Sequence, residues 1–146
     1  IEKWDGKNLI AQGGSQGGAL ALVTAGLDSR VTACSANHPA LSDMAGYKAN
    51  RAGGYPHLFT KFTGMDTPEK LKTLEYYDVV NFARHIKVPV FMTWGYNDNV
   101  CPPTTSYVVY NILDTEKEAL ITPVNEHWIS KTTRRYIMDW IKKNLN

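Results

Sequence analysis

The segment Asn8-Leu-Ile-Ala-Gln-Gly13-Gly14-Ser15-Gln16-Gly17-Gly18-Ala-Leu-Ala-Leu22 combines a short apolar strand, a glycine-lined corner carrying one serine, and a small-residue helix. A sharp strand-to-helix turn forces the serine backbone into a sparsely populated conformation and brings neighbouring backbone close. Gly13, Gly17 and Gly18 are therefore expected to leave room that side chains would fill. Ser15 then stands exposed at the tip, the pattern of a nucleophile elbow. The helix beginning there directs free backbone N–H groups and a positive dipole end at the place where an oxyanion forms in acyl transfer. Gly-x-Ser-x-Gly alone is unspecific, and a phosphate-cradling loop or an ordinary tight turn is the competing reading. Context favours the elbow: Leu9 and Ile10 supply strand character, and Ala19 to Ala25 continue as a buried helix that Gly26 is expected to end before Leu27.

The rest of the chain alternates strands and helices. Arg30–Ala36 has the β-branched and small apolar content of a buried parallel strand, closed by Asn37-His38-Pro39. From about 40 to 66 periodicity fails, and an irregular insertion rich in aromatics (Tyr47, Tyr55, Phe59, Phe62) is expected, either covering a site or making a contact between subunits. Thr67-Pro68-Glu69 is an N-cap, a proline at the first helical position and an acid in the first turn, so a helix is expected over 68–75. A short helix over 79–85, a strand over 88–94, a helix over 104–113, a strand over 118–122 and a final amphipathic helix to about Lys143 follow. Ile129, Tyr136, Ile137, Trp140 and Ile141 are expected on the inner stripe of that last helix. Without repeats or low-complexity linkers, this order predicts one α/β unit over residues 1–146, a parallel sheet with helices on its faces.

Composition narrows the partners. The 146 residues are 43% hydrophobic and 21% charged, ordinary usage for a soluble globular chain. A net charge of +2 without a basic tract argues against nucleic acid, and no apolar run approaches the roughly 20 residues that span a bilayer. Cys34 and Cys101 have neither metal-binding nor redox spacing, so they identify no compartment. The opening Ile1-Glu-Lys-Trp-Asp-Gly-Lys leads directly into the elbow strand without an initiating methionine, and the chain is expected to be part of something longer.

Acyl transfer by serine requires a base to take the hydroxyl proton and a carboxylate to hold that base in the productive tautomer. Ser15, Asp98 and His127 each follow an expected strand, and their chain order is that of α/β-hydrolases. Alternatives exist for each partner. Asp98 also suits a loop-capping acid in the Asn-Asp-Asn turn, and Asp78 competes as the acid but precedes a helix and suits an N-cap. Among the histidines, His38 and His57 lie in loops where they either bind substrate or pack, and His85 sits at a helix end. Glu126, beside His127, is expected to be a surface acid. Tyr55, Trp94 and Tyr96 are the candidate substrate-binding aromatics, with Phe59 and Trp128 as further possibilities, although aromatics more often serve a core. No metal site is evident, and triad chemistry requires no cofactor.

The elbow Gly-Gly-Ser15-Gln-Gly-Gly, the segment Tyr77-Asp78 with Asn81-Phe-Ala and Ile86-Lys-Val-Pro-Val, and Gly95-x-x-Asp98-x-x-Cys101-Pro-Pro-x-Thr105 together resemble the acetyl xylan esterase and cephalosporin C deacetylase family. The resemblance spans most of the chain. It implies the C-terminal half of an α/β-hydrolase that removes acetyl groups from short acetylated xylo-oligosaccharides and related small esters, often as a hexamer. It also implies Ser15 as nucleophile, Asp98 as acid, His127 as base, and the Gln16 backbone N–H as one oxyanion donor. Glu126 departs from the family, which commonly has glycine before the catalytic histidine. The family's N-terminal half, which carries the second oxyanion donor, is absent here. The elbow strand is then expected to be a sheet edge that pairs with another copy or with that half. Competing readings are a prolyl-oligopeptidase-like serine peptidase, disfavoured by Gln16 in place of its aromatic residue, and a hydrolase-fold scaffold without catalysis.

Overall fold

The computed structural model describes Trp4 and residues 6–145. Four parallel strands run in the order β1 (Ile10–Gly14), β2 (Ala33–Asn37), β3 (Val90–Gly95) and β4 (Lys117–Thr122). Parallel neighbours require crossovers, which helices supply. The helices are α1 (Gln16–Leu27), α2 (Pro68–Leu74), α3 (Val79–Ala83), α4 (Pro103–Ile112) and α5 (Lys131–Lys143). All residues of β2 and β3 are buried, whereas β1 and β4 are only partly so, as expected for two central and two outer strands. β1, which leads into Ser15, is an edge of this sheet.

The two faces carry different cores because side chains alternate along a strand. Val90, Met92 and Trp94 point to the face covered by α1, α3 and α4, where they pack with Leu22, Ala25, Val79, Ala83 and Val109. Phe91 points the other way and stacks on Trp140 of α5, with ring centroids 5.6 Å apart, beside Ala33 and Ile137. Ser130 caps α5 by accepting a 2.9 Å hydrogen bond from the Thr133 N–H.

Several expectations are corrected. Tyr136 is 56% exposed, and the inner face of α5 is instead Thr133, Ile137 and Trp140, with Ile129 and Ile141 at its margin. At 100° per residue Tyr136 lies a quarter-turn away from Ile137. Helix α3 ends at Ala83, leaving the exposed His85 beyond it. Gly26 does not end α1, which continues through Leu27 and gives way at Asp28. A Cβ at Gly26 would lie 2.7 Å from the Phe82 carbonyl oxygen, so this glycine admits α3 against α1.

The insertion over 40–66 contains one 3₁₀ turn, Gly46–Ala49, and is otherwise irregular. Its start is clamped by Asp78, the N-cap of α3. The Asp78 carboxylate accepts hydrogen bonds from Val80 N at 3.0 Å, Asp43 N at 3.0 Å and Met44 N at 2.8 Å. Arg51 pairs bidentately with Asp43, both contacts 2.8 Å. Asp78 thus has a structural task, separate from the hydroxyl chemistry for which it was a candidate. Among the described residues no helix is long and apolar enough to cross a membrane.

Replacing Gly26 with alanine is expected to destabilise the intact protein by about 1–3 kcal/mol, since the new methyl must push apart two backbones. A fall in the urea midpoint at unchanged slope checks this.

Candidate active site

Ser15 sits between β1 and α1 with φ 55° and ψ −123°, left-handed backbone that a serine rarely adopts. The corner is held by backbone bonds. Ser15 N–H donates to the Asn37 carbonyl at 2.9 Å, and the Ser15 carbonyl accepts from Ala19 N at 3.0 Å and Ala40 N at 3.1 Å. Two of the three glycines act as expected: a Cβ at Gly13 would lie 2.3 Å from the Gly17 oxygen, and one at Gly18 would lie 2.9 Å from the Asn37 oxygen. Gly17 differs, because a Cβ there would meet open space.

Asp98 and His127 reach this corner from the loops after β3 and β4. His127 Nε2 lies 2.9 Å from Ser15 Oγ, and His127 Nδ1 lies 2.8 Å from Asp98 Oδ2. Asp98 makes the contacts that both readings require. Its Oδ1 accepts from Val100 N at 2.9 Å and Cys101 N at 2.8 Å, capping the turn, while Oδ2 faces the imidazole. The carboxylate is fully buried, and these donors compensate its loss of water. A His127 that donates from Nδ1 to a carboxylate presents an unprotonated Nε2 to the serine hydroxyl, and the chain of bonds can move the Ser15 proton onto the imidazole.

The His127 loop is positioned by one glycine. A Cβ at Gly95 would lie 2.0 Å from the Asn125 carbonyl oxygen, so the end of β3 must be bare for residues 125–127 to pass. Asn97 N–H donates to the same carbonyl at 3.1 Å. Glu126 is exposed and has no positive φ, so the loop places His127 without needing a glycine there.

The remaining candidates divide. Trp94 is corrected: it is 1% exposed and lies under α4, edge-on to Tyr107 with centroids 5.0 Å apart and near Tyr110 at 5.8 Å. Its place on β3, in phase with Val90 and Met92, makes it core. Tyr96 remains 49% exposed, its hydroxyl 3.0 Å from that of Tyr107, and Tyr55 is 42% exposed beside His57. His57 Nε2 donates to the Val100 carbonyl at 2.9 Å, tying the insertion to the Asp98 turn. A groove of about 380 Å³ between the insertion and α2, lined by Leu41, Met44, Phe59, Met65 and Leu74, contains none of Ser15, Asp98 and His127.

Two neighbours of the triad are singled out in the sequence, His38 as a loop histidine and Cys101 as part of the motif after Asp98, but neither pattern places them beside Ser15 and His127. His38, immediately after β2, is 8% exposed, and its ring centroid lies 4.4 Å from that of His127 at a 52° tilt. Burial foremost, and then the neighbouring imidazole, push its pKa down to about 4. Cys101 is buried beside Ser15, and its thiol is pushed up to about 12 by burial and by Asp98, slightly offset by a hydrogen bond with Ser15. It is therefore a thiol at neutral pH, a poor competitor to Ser15 as nucleophile.

With this geometry established, comparison with known proteins places the chain. The acetyl xylan esterase (AXE1) family model matches residues 1–144. The chain belongs to the acetyl xylan esterase family. It is 68% identical over 145 residues to acetyl esterase Axe7A of Xylanibacter ruminicola, covering 99% of this chain and 33% of that protein. The acetyl xylan esterase of Paenibacillus sp. R4 superposes with a TM-score of 0.86 at 30% identity, over 99% of this chain and 48% of that one. Acetyl xylan esterase 1 from Thermoanaerobacterium sp. JW/SL YS485 gives 0.84 at 28% identity, over 100% and 48%. The chain thus spans a third to a half of the length of these relatives. Its parallel sheet and flanking helices have the α/β-hydrolase fold of these esterases.

Two outcomes follow from the site's construction. Gly95→Ala is expected to lower stability by about 1–3 kcal/mol and also lower turnover, because the displaced backbone is that of the His127 loop. Paired urea titrations and rate measurements check this. For His38, the folded value near 4 lies below the ordinary 6.5, so the folded state binds fewer protons between those values. The neutral ring's stability is fully present above pH 6.5 and lost as pH falls toward 4, on the order of 3 kcal/mol. His38→Gln should flatten that part of a stability-against-pH curve.

Proposed function

We propose that the protein carrying this chain is a serine esterase that removes O-acetyl groups from acetylated xylo-oligosaccharides or similar small esters. The observation that carries the reading is the continuous Ser15–His127–Asp98 hydrogen-bonded chain within a member of the acetyl xylan esterase family. Its relative Axe7A is named an acetyl esterase.

In this reading His127 Nε2 takes the Ser15 proton as Oγ attacks the acetyl carbonyl, and Asp98 stabilises the resulting imidazolium. The Gln16 backbone N–H, at the first position of α1, donates to the developing oxyanion. Collapse expels the sugar hydroxyl, which takes its proton from His127. Water then attacks the acetyl-enzyme with His127 again as base, releasing acetate. The exposed Tyr55 and Tyr96 flank the loops around the triad and offer aromatic faces to a sugar ring.

We further propose that the free edge of β1 is paired in the working protein, by another copy or by the portion of its relatives that this chain does not span. The edge is bordered by Leu9, Ile10, Ala11, Leu20 and Ala21, an apolar groove of about 430 Å³. A second oxyanion donor would enter from that partner, beside the open space at Gly17.

The test uses the intact protein with 4-nitrophenyl acetate and with an aminoacyl anilide. Ester hydrolysis is expected to dominate, Ser15→Ala to lose at least about 10⁴-fold in kcat together with fluorophosphonate labelling, and Asp98→Asn to lose about 10³–10⁴-fold through the wrong imidazole tautomer. Preference for the anilide would replace the esterase with a peptidase, and an unlabelled Ser15 would leave a non-catalytic scaffold.

A further inference from the structure

Two imidazoles lie side by side at the centre of the site, but only one has its nitrogens engaged. His127 uses both, toward Asp98 and Ser15. Neither ring nitrogen of the buried His38 makes a hydrogen bond among the described residues, although its backbone N–H donates to the Thr93 carbonyl at 2.6 Å. A nitrogen of each ring and a carboxylate oxygen of Asp98 lie within 4.8 Å of one another. We propose that His38 and His127 together form an inhibitory binding site for a borderline-soft divalent ion such as Zn²⁺, with Asp98 as the outer carboxylate.

The division of roles follows from the hydrogen bonds. Both Asp98 oxygens are already occupied, Oδ1 by Val100 N and Cys101 N, and Oδ2 by His127 Nδ1. A metal-binding histidine characteristically donates its other ring N–H to a carboxylate, an arrangement the Asp98–His127 pair already has. His127 Nε2 then offers its lone pair to the ion in place of the Ser15 hydroxyl proton, and His38 supplies the second nitrogen. Both bind as neutral bases, so no further proton must leave. Zn²⁺ bonds of about 2.0–2.1 Å to nitrogen put two ligands about 3.4 Å apart in a tetrahedral site, a separation that the two ring nitrogens reach by side-chain rotation. Ser15 Oγ and water fill the remaining positions. With Nε2 occupied by metal, the site loses its general base.

Zn²⁺ is the probe, added to the intact protein in a non-chelating buffer. Calorimetry reads binding directly, without reference to esterase activity, so failure of the proposed function leaves this test intact. Wild type is expected to bind one Zn²⁺ reversibly, and Zn²⁺ is expected to slow fluorophosphonate labelling of Ser15 until EDTA restores it. His38→Gln should weaken binding by at least about tenfold, with inhibition expressed against each variant's own metal-free rate. Cys101→Ser should retain the wild-type affinity. Should His38→Gln misfold by circular dichroism, nuclear magnetic resonance of the wild type decides instead. Zn²⁺ must then shift the ring signals of both His38 and His127. No saturable binding, binding equally tight in His38→Gln, loss of binding in Cys101→Ser, or ring shifts confined to other histidines would overturn the proposal.

Discussion

The corner at Ser15 is the constraint around which the rest is arranged. A serine at φ 55° costs on the order of 1–3 kcal/mol, and such a conformation persists only where its surroundings over-determine it. Here they do so through backbone alone. Asn37 of β2 accepts the Ser15 N–H, Ala40 binds the Ser15 carbonyl, and Gly13 and Gly18 let the strand, helix and neighbouring strand approach to distances that a Cβ would forbid. The buried β2–β3 pair is thereby the foundation of the nucleophile position. Any movement of Asn37 moves both the hydrogen bond to Ser15 and the contact with Gly18.

The same economy recurs at the other two members of the triad. Asp98 stabilises its own turn with one oxygen and orients His127 with the other, so the acid cannot be removed without also freeing the Val100 and Cys101 N–H groups. His127 depends on Gly95, a residue in a different strand, because the Asn125 carbonyl fills the space a side chain would take. Ser15 and His127 are therefore held by backbone contacts formed two or more elements away, whereas Asp98 is held within its own turn. The family motif around Asp98 encodes this in part: Gly95 admits the histidine loop, Cys101 supplies a capping N–H, and Pro103 opens α4.

Legibility in the sequence followed the range of the signal. The elbow, the N-caps at Thr67 and Asp78 and the apolar run 88–94 are local patterns, and the elements lie within three residues of where those patterns place them. The convergence of Ser15, Asp98 and His127 was legible because each follows a strand in a parallel sheet, which aligns strand ends. Trp94 was not, because burial of a strand aromatic depends on whether it is in phase with the helix-covered face, and Val90, Met92 and Trp94 share that phase. Tyr136 failed for a related reason, a quarter-turn error on a helix whose stripe is set by Phe91 and the sheet. Gly26 looked like a terminator, and only the position of Phe82 in space reveals that it is a packing residue. His38 and Cys101 stand in named patterns that do not place them: they reach the triad because β2 and the Asp98 turn end beside it.

The side-by-side imidazoles show how little separates base catalysis from metal capture. A carboxylate-bound histidine with an exposed lone pair is a competent acceptor for a serine proton and an equally competent ligand for a soft cation. What selects between them is the next group along. A hydroxyl 2.9 Å from Nε2 directs the lone pair toward proton transfer, whereas a second free imidazole within chelating reach adds the bond a metal needs. The site contains both. His38 is buried as a residue, and its ring nitrogens make no hydrogen bond among the described residues. That sets His38 apart from His127, whose two ring nitrogens already have partners.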